Sequence, residues 1–444
     1  MTRWLRAGLA ASLLIPFCTL FAAAPPAIEL VATGYIPGNL LDKSGLEGVI
    51  CQASNPANCV PKAVFGGLGS DLTYTGHDNV FIAAPDRGPF DGLTDVPFLD
   101  RVHFLHIKTD LKSKQVSTVL LDTRFLRDQF WRRFLGAAGA FDLDKPSLTR
   151  RLDPEGIRVS PKGTFYISDE YGPYVYEFNR QGHLIERLDL PSYFAIDNPS
   201  ADPAQELLGN TSGRQANRGM EGLAISPDGT TLYGIMQNAL LQDGALTPGT
   251  TDRVGLNNRI VQIDVLSGKT REFVYRIEAA NRGQGVSEIL AINDHEFLVL
   301  ERDNRSWLAA EPQAPTRKWI YRIDITGATD VSGMTLPSTT LPTGVQPVRK
   351  ELFIDLLDPA FGLQNNDARA IAEKIEGLAW GPDLRDGRHL LYVISDNDLV
   401  PSLPTQIFAF AIDDTRLTAP FDYVAQVLPG PLYPPGQVKK QVGK

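Results

Sequence analysis

The sequence predicts an all-β protein, a β-propeller. Three observations carry this: a hairpin unit that recurs along the chain, a cadence of four strands per unit, and a turn-rich composition. The 444 residues include 39 Gly and 32 Pro, and 43% are hydrophobic. That load of turn formers fits many short strands better than a few long helices.

Four copies of the unit align by eye. They begin at Glu155-Gly156-Ile157, Glu221-Gly222-Leu223, Glu288-Ile289-Leu290 and Glu376-Gly377-Leu378. A more divergent fifth runs from Gly66 through Asp71-Leu72-Thr73-Tyr74 to Asp86-Arg87, with Gly67 and Gly69 where Glu-Gly would stand. Repetition at this scale marks a repeat architecture. In the copy that begins at Glu221, Ser226-Pro227-Asp228-Gly229 reads as a tight turn between two apolar runs. Pro227 presets φ and Gly229 tolerates a positive one. Each copy is therefore a hairpin, and two further strands follow it, as in Tyr174–Phe178 and Leu184–Leu188. Four strands arranged radially make one propeller blade. Five units are readable. Ile28–Tyr35 with Tyr423–Leu428 either forms a sixth blade or closes the fifth. The connections Phe125–Arg151, Asn198–Arg218 and Gln237–Leu256 read as long loops, with short helices at Phe125–Phe134 and Asn366–Glu373.

The N-terminus reads as a signal peptide over residues 1–24, followed by a single propeller domain over 25–444. Arg3 and Arg6 precede an apolar run from Leu9 to Phe21, and Ala22, Ala23 and Ala24 follow. That run is short for a bilayer span. Its removal takes the net charge from −9 to −11 and leaves no other span, so the mature chain is expected to be exported, periplasmic or secreted. No basic stripe exists, which argues against nucleic acid as a partner. Cleavage leaves two cysteines, Cys51 and Cys59. In an oxidising compartment a local disulfide is the favoured reading, with free thiols as the alternative.

The repeat also places chemistry. In a propeller the first strand of each blade lines the central channel, and the second returns to the same edge. Glu155, Glu221, Glu288 and Glu376 open the first strands. Asp169 and Glu170, Gln237 and Asn238, Glu301 and Asp303, and Asp396 to Asp398 end the second ones, with Asp86 and Arg87 in the divergent copy. Carboxylates converging on one channel mouth repel unless a cation or arginines compensate them. Glu155, Glu221, Glu288, Glu376 and Asp396 form a candidate set of metal ligands, for Ca²⁺ by its all-oxygen shell. Asp169 or Glu170 is a candidate general base, and Arg87 or Arg302 a candidate stabiliser of developing negative charge. Arg214, Arg218 and Arg305 are candidate substrate binders. Alternatively, the Glu-Gly pair is a packing device. The six histidines show no metal spacing, and no Gly-x-Ser-x-Gly elbow is present.

Asp153-Pro154-Glu155-Gly156-Ile157, Ser226-Pro227-Asp228-Gly229, Arg218-Gly219-Met220-Glu221-Gly222-Leu223 and Ile394-Ser395-Asp396-Asn397-Asp398 together resemble the phytase-like domain family, also called esterase-like activity of phytase. The resemblance covers about residue 45 to 428. It implies a β-propeller and hydrolysis of a phosphoester or carboxylic ester, with a small-molecule ester as substrate. It carries over no catalytic residue. Two functional readings follow: an exported, cation-assisted hydrolase, of which a lactonase is a variant, or a non-catalytic propeller whose long loops bind a polymer or protein.

Overall fold

A computed structural model describes residues 26–172, 174–280, 284–367 and 369–443; the predicted signal peptide lies outside them. Five four-stranded blades make a closed ring. Blade one comprises Asp71–Tyr74, Val80–Ala84, Arg101–Asp110 and Gln115–Phe125. Blade two comprises Pro154–Val159, Thr164–Asp169, Tyr174–Asn179 and Leu184–Asp189. Blade three comprises Met220–Ile225, Thr231–Met236, Asn257–Asp264 and Thr270–Arg276. Blade four comprises Gly285–Ala291, Glu296–Arg302, Lys318–Asp324 and Arg349–Asp355. Blade five takes Lys374–Trp380, His389–Asp396 and Thr405–Ile412 from the C-terminal part, and its outer strand, Ile28–Ile36, from the N-terminal part. The N-terminal strand thus closes the fifth blade, and Tyr423–Leu428 is not a strand. The five innermost strands touch one another in succession around the channel.

Each interface between blades holds its own apolar core. Period-two alternation explains how one strand serves two of them. Leu223 and Ile225 pack with Tyr166 and Val175 of blade two. Ala224, between them in sequence, packs with Ile289 and Phe297 of blade four. Being covered on both faces, the innermost strands of blades two and three are buried along their whole length and, apart from Glu155, Arg158 and Glu221, read as apolar runs rather than alternating ones.

Close approach at the channel accounts for the glycines of the repeat. A Cβ on Gly222 would lie 2.7 Å from Cα of Glu288, and one on Gly156 would lie 2.5 Å from the backbone nitrogen of Leu223. Backbone cannot move aside as a flexible side chain can. Gly222→Ala is therefore expected to lower unfolding free energy by about 1–3 kcal/mol, the usual cost of overpacking. Urea unfolding of the two proteins measures it.

The connections differ from expectation. Phe125–Phe134 is not helical, because the Asp128 carboxylate accepts the backbone N–H groups of Phe130 and Arg132 (both 2.9 Å) and so competes with a helix. Asn366–Glu373 has no helix among its described residues; Asp367 closes a single turn onto Arg369 and Ala370. A helix does form inside 198–218, at Pro203–Leu208, where Asp202 caps Ala204 and Gln205 and Pro203 opens the first turn. Cys51 and Cys59 form a disulfide across a short hairpin.

Candidate functional site

The innermost strands of blades two to five each carry a ladder irregularity near their start. In blades two, three and five it falls at Glu155, Glu221 and Glu376. A bulge turns a side chain out of the regular alternation. In blade four the skipped residue is Ser287, and Glu288 pairs with Leu300. Core packing gives the same register: Ile157, Leu223, Ile289 and Leu378 each face the preceding blade, as does Leu72 in blade one. Structurally, then, Glu-Gly in three blades corresponds to Ser70-Asp71 and Ser287-Glu288 in the other two. The alignment by eye placed Glu288 one residue out.

That single step sends Glu288 elsewhere. With Asp71 it clamps Arg158, whose guanidinium is buried within the channel, paired with Asp71 and 3.2 Å from Glu288. Arg158 also donates to carbonyls of Leu72, Ile157, Ile289 and Leu378, on the innermost strands of four blades. Burial pushes the Asp71 carboxyl up to about 6 and Glu288 well above the carboxylate range. Arg158 thereby divides the channel. On its far side lies a cavity of about 200 Å³ lined by Trp380 and Tyr423. Glu288 accordingly does not join the other glutamates at the mouth.

At the mouth, three carboxylate triads lie side by side: Asp86, Asp396 and Asp398; Asp86, Asp153 and Glu155; Glu155, Glu170 and Glu221. Within each, one oxygen per residue lies within 4.8 Å of the others. Two of the three already hold a protein cation. Lys374 pairs with Asp398 and lies 3.7 Å from Asp396 and 3.9 Å from Asp86. Arg87 lies 2.7 Å from Asp153 and 3.3 Å from Asp86. The third triad is different. Arg87 reaches only its edge, 3.5 Å from Glu170. Glu221 accepts a bond from Gln237 on one oxygen, while Oε2, buried, has no hydrogen-bond partner among the described residues. Burial first, and then Glu170 and Glu376, push the Glu221 carboxyl well above its ordinary range. Burial and the neighbouring Glu221 do the same to Glu155. Three buried carboxylates with a free oxygen, where Arg87 reaches only Glu170 and Arg302 and Arg218 act on Glu221 without pairing to it, are a hard-cation donor set.

The remaining predicted residues separate. Glu376 pairs with Arg302, which brings both to the rim. Arg218 overhangs it, its Nη1 donating to Asn238 (2.9 Å). Asp169 turns to the backbone instead, accepting the N–H groups of Asp153 and Tyr171 (both 3.0 Å), with burial raising it to about 8. Arg214 braces loops through Glu206 (2.7 Å) and the carbonyl of Tyr171 (2.8 Å). Arg305 is half-buried and makes no ion pair among the described residues. Sequence reasoning missed Asp153 and Lys374, which sit at the strand starts beside Pro154 and opposite Asp396.

The phytase-like family, described as esterase-like activity of phytase, matches residues 63–399. The chain belongs to this family. The phytase-like match takes in all seven carboxylates of the three triads, together with Arg87 and Lys374. A relative of this phytase-like chain, an uncharacterized secreted protein of Arthroderma benhamiae, is 28% identical and covers 84% of this chain and 86% of its own. Among solved structures, regucalcin of Agrobacterium tumefaciens, a calcium-binding protein, is 12% identical with a TM-score of 0.33, over 81% of this chain and 95% of that one. The Cps50 (Swd1) β-propeller domain of Myceliophteria thermophila is 13% identical with a TM-score of 0.35, over 79% and 98%. Neither likeness bears on the site.

Proposed function

We propose that the chain is an exported hydrolase that cleaves a phosphoester or related ester at the channel mouth, assisted by a divalent cation. Family membership and the secreted relative support the class and the export. No helix among the described residues is long and apolar enough to cross a membrane. The observation that carries the site is the buried, unpartnered Oε2 of Glu221, whose carboxylate clusters with those of Glu155 and Glu170.

In this reading Glu155 and Glu221 hold the cation, with Ca²⁺ favoured by the oxygen-only donors. When bound, it polarises the ester oxygen and acidifies a water. Glu170, beside them and next to Arg87, takes the proton of the attacking water. Arg302, oriented by Glu376, offsets negative charge that develops on the substrate. Asp396 stays with Lys374 as part of the rim.

A panel of phosphoester, carboxylic ester and lactone substrates, each with Ca²⁺ and with EDTA, tests the proposal. Turnover of one class that EDTA abolishes and Ca²⁺ restores is expected. A folded, cation-loaded protein that turns over nothing is instead a binding propeller, and turnover indifferent to EDTA removes the cation from the reaction.

A further inference from the structure

Beside the mouth, a cavity of about 380 Å³ opens between the loops that precede and follow the first hairpin of blade three. Its walls include Asp91, Arg151, Tyr171, Arg218 and Arg253. The charge of Arg151 is paired: it meets Glu206 (3.3 Å) and stacks over Tyr171 (3.7 Å). Asp91 is bound by Arg87 (2.7 Å). Arg218 and Arg253 are not neutralised in this way. Among the described residues neither forms an ion pair. Each is held by a neutral amide oxygen instead, Arg218 by Asn238 and Arg253 by Gln215 (both 2.9 Å). Those amides are themselves anchored to backbone, Asn238 to the carbonyl of Gln284 and Gln215 to that of Ala239. The two guanidiniums are thus positioned without a salt-bridge partner among the described residues.

Electrostatics agree with this geometry. Arg218 is lowered to about 10, by burial first and then by Arg253, while Glu221 and Glu170 oppose the shift without forming an ion pair with it. Burial lowers Arg253 too. Two like charges that line one half-buried cavity are destabilising unless an anion sits between them. Guanidinium forks suit a tetrahedral oxyanion, and a pair of them suits a dianion rather than a monoanion.

We propose that Arg218 and Arg253 form an anion subsite that binds a phosphate monoester group of the substrate, beside the carboxylate triad rather than in it. The subsite deepens the hydrolase reading by requiring a phosphate that is held rather than cleaved. Its test is independent of turnover.

Inorganic phosphate is titrated calorimetrically into the purified protein at low ionic strength, with EDTA present so that no divalent cation contributes. The wild type is expected to bind one equivalent, more weakly as salt rises. Arg253→Gln and Arg218→Gln are each expected to weaken that binding by at least about tenfold, the scale of one lost charge-assisted contact. Arg271→Gln, on the outer strand of blade three, is expected to bind as the wild type does. Unaltered thermal midpoints establish that the variants are folded. Absence of phosphate binding by the wild type, undiminished binding by Arg253→Gln, or equally tight binding of acetate overturns the subsite. A protein that binds phosphate in this way yet hydrolyses no ester would sink the hydrolase reading and leave the subsite standing.

Discussion

Glu221→Gln is expected to abolish calcium binding and ester hydrolysis together while leaving the fold intact. The amide keeps the size of the side chain and its contact with Gln237 but removes the charge a cation needs. Without metal, a buried carboxylate with no ion-pair partner destabilises its surroundings. In EDTA the variant's thermal midpoint should therefore equal or exceed that of the wild type, whereas in calcium only the wild type should gain stability. A variant that melts well below the wild type in EDTA would make Glu221 a structural residue. The raised carboxyls of Glu155 and Glu221 add a pH signature. Metal must displace protons held there, so binding releases protons and apparent affinity rises with pH. Calorimetry in buffers of different ionisation enthalpy reads both effects.

Arg158→Met is expected to cost about 3–5 kcal/mol, the scale of breaking a buried ion pair from one side. It leaves Asp71 and Glu288 buried against each other and removes donors from the carbonyls of four blades. The loss should depend on pH with a definite sign. Both carboxyls are raised in the folded protein already, Asp71 to about 6. The folded state therefore binds protons more tightly than the unfolded chain, and stability falls as pH rises from the ordinary carboxylate range through the folded values. Without Arg158 that fall should steepen, so the variant is expected to be markedly weaker at pH 8 than at pH 5 in chemical denaturation. Adding Asp71→Asn and Glu288→Gln should recover much of the loss. A variant as stable as the wild type at both pH values would mean the channel needs no central cation.

The blades were legible because hairpin turns such as Ser226–Gly229 are local, and because strands covered on both faces write themselves as apolar runs. The acidic mouth was legible for the same reason: antiparallel return puts Asp86, Glu170 and Asp396 at the edge where Glu155, Glu221 and Glu376 begin. The role of Glu288 was not. Similarity of letters aligned Glu288-Ile289 with Glu221-Gly222, but side chains in a strand alternate, so one residue of slip sends a carboxylate to a different place. The stretch from Glu288 to Phe297 is one residue shorter than that from Glu155 to Phe165, and that length was the available signal. Arg158 looked like one polar residue in an apolar strand; only closure of the ring reveals that it faces two acids from other blades. Nor could local sequence separate the three triads. What distinguishes them is whether Lys374 or Arg87 reaches them, and that depends on side-chain paths between blades.

Crystals grown without divalent ions and then soaked in calcium offer the most direct test, read from anomalous difference density at a long wavelength. One peak is predicted, between Glu155, Glu170 and Glu221, with Lys374 and Arg87 still in place in the two neighbouring triads. Density only between Asp86, Asp396 and Asp398 with Lys374 displaced, or no peak at millimolar calcium, would contradict the assignment of the unfilled triad as the cation site.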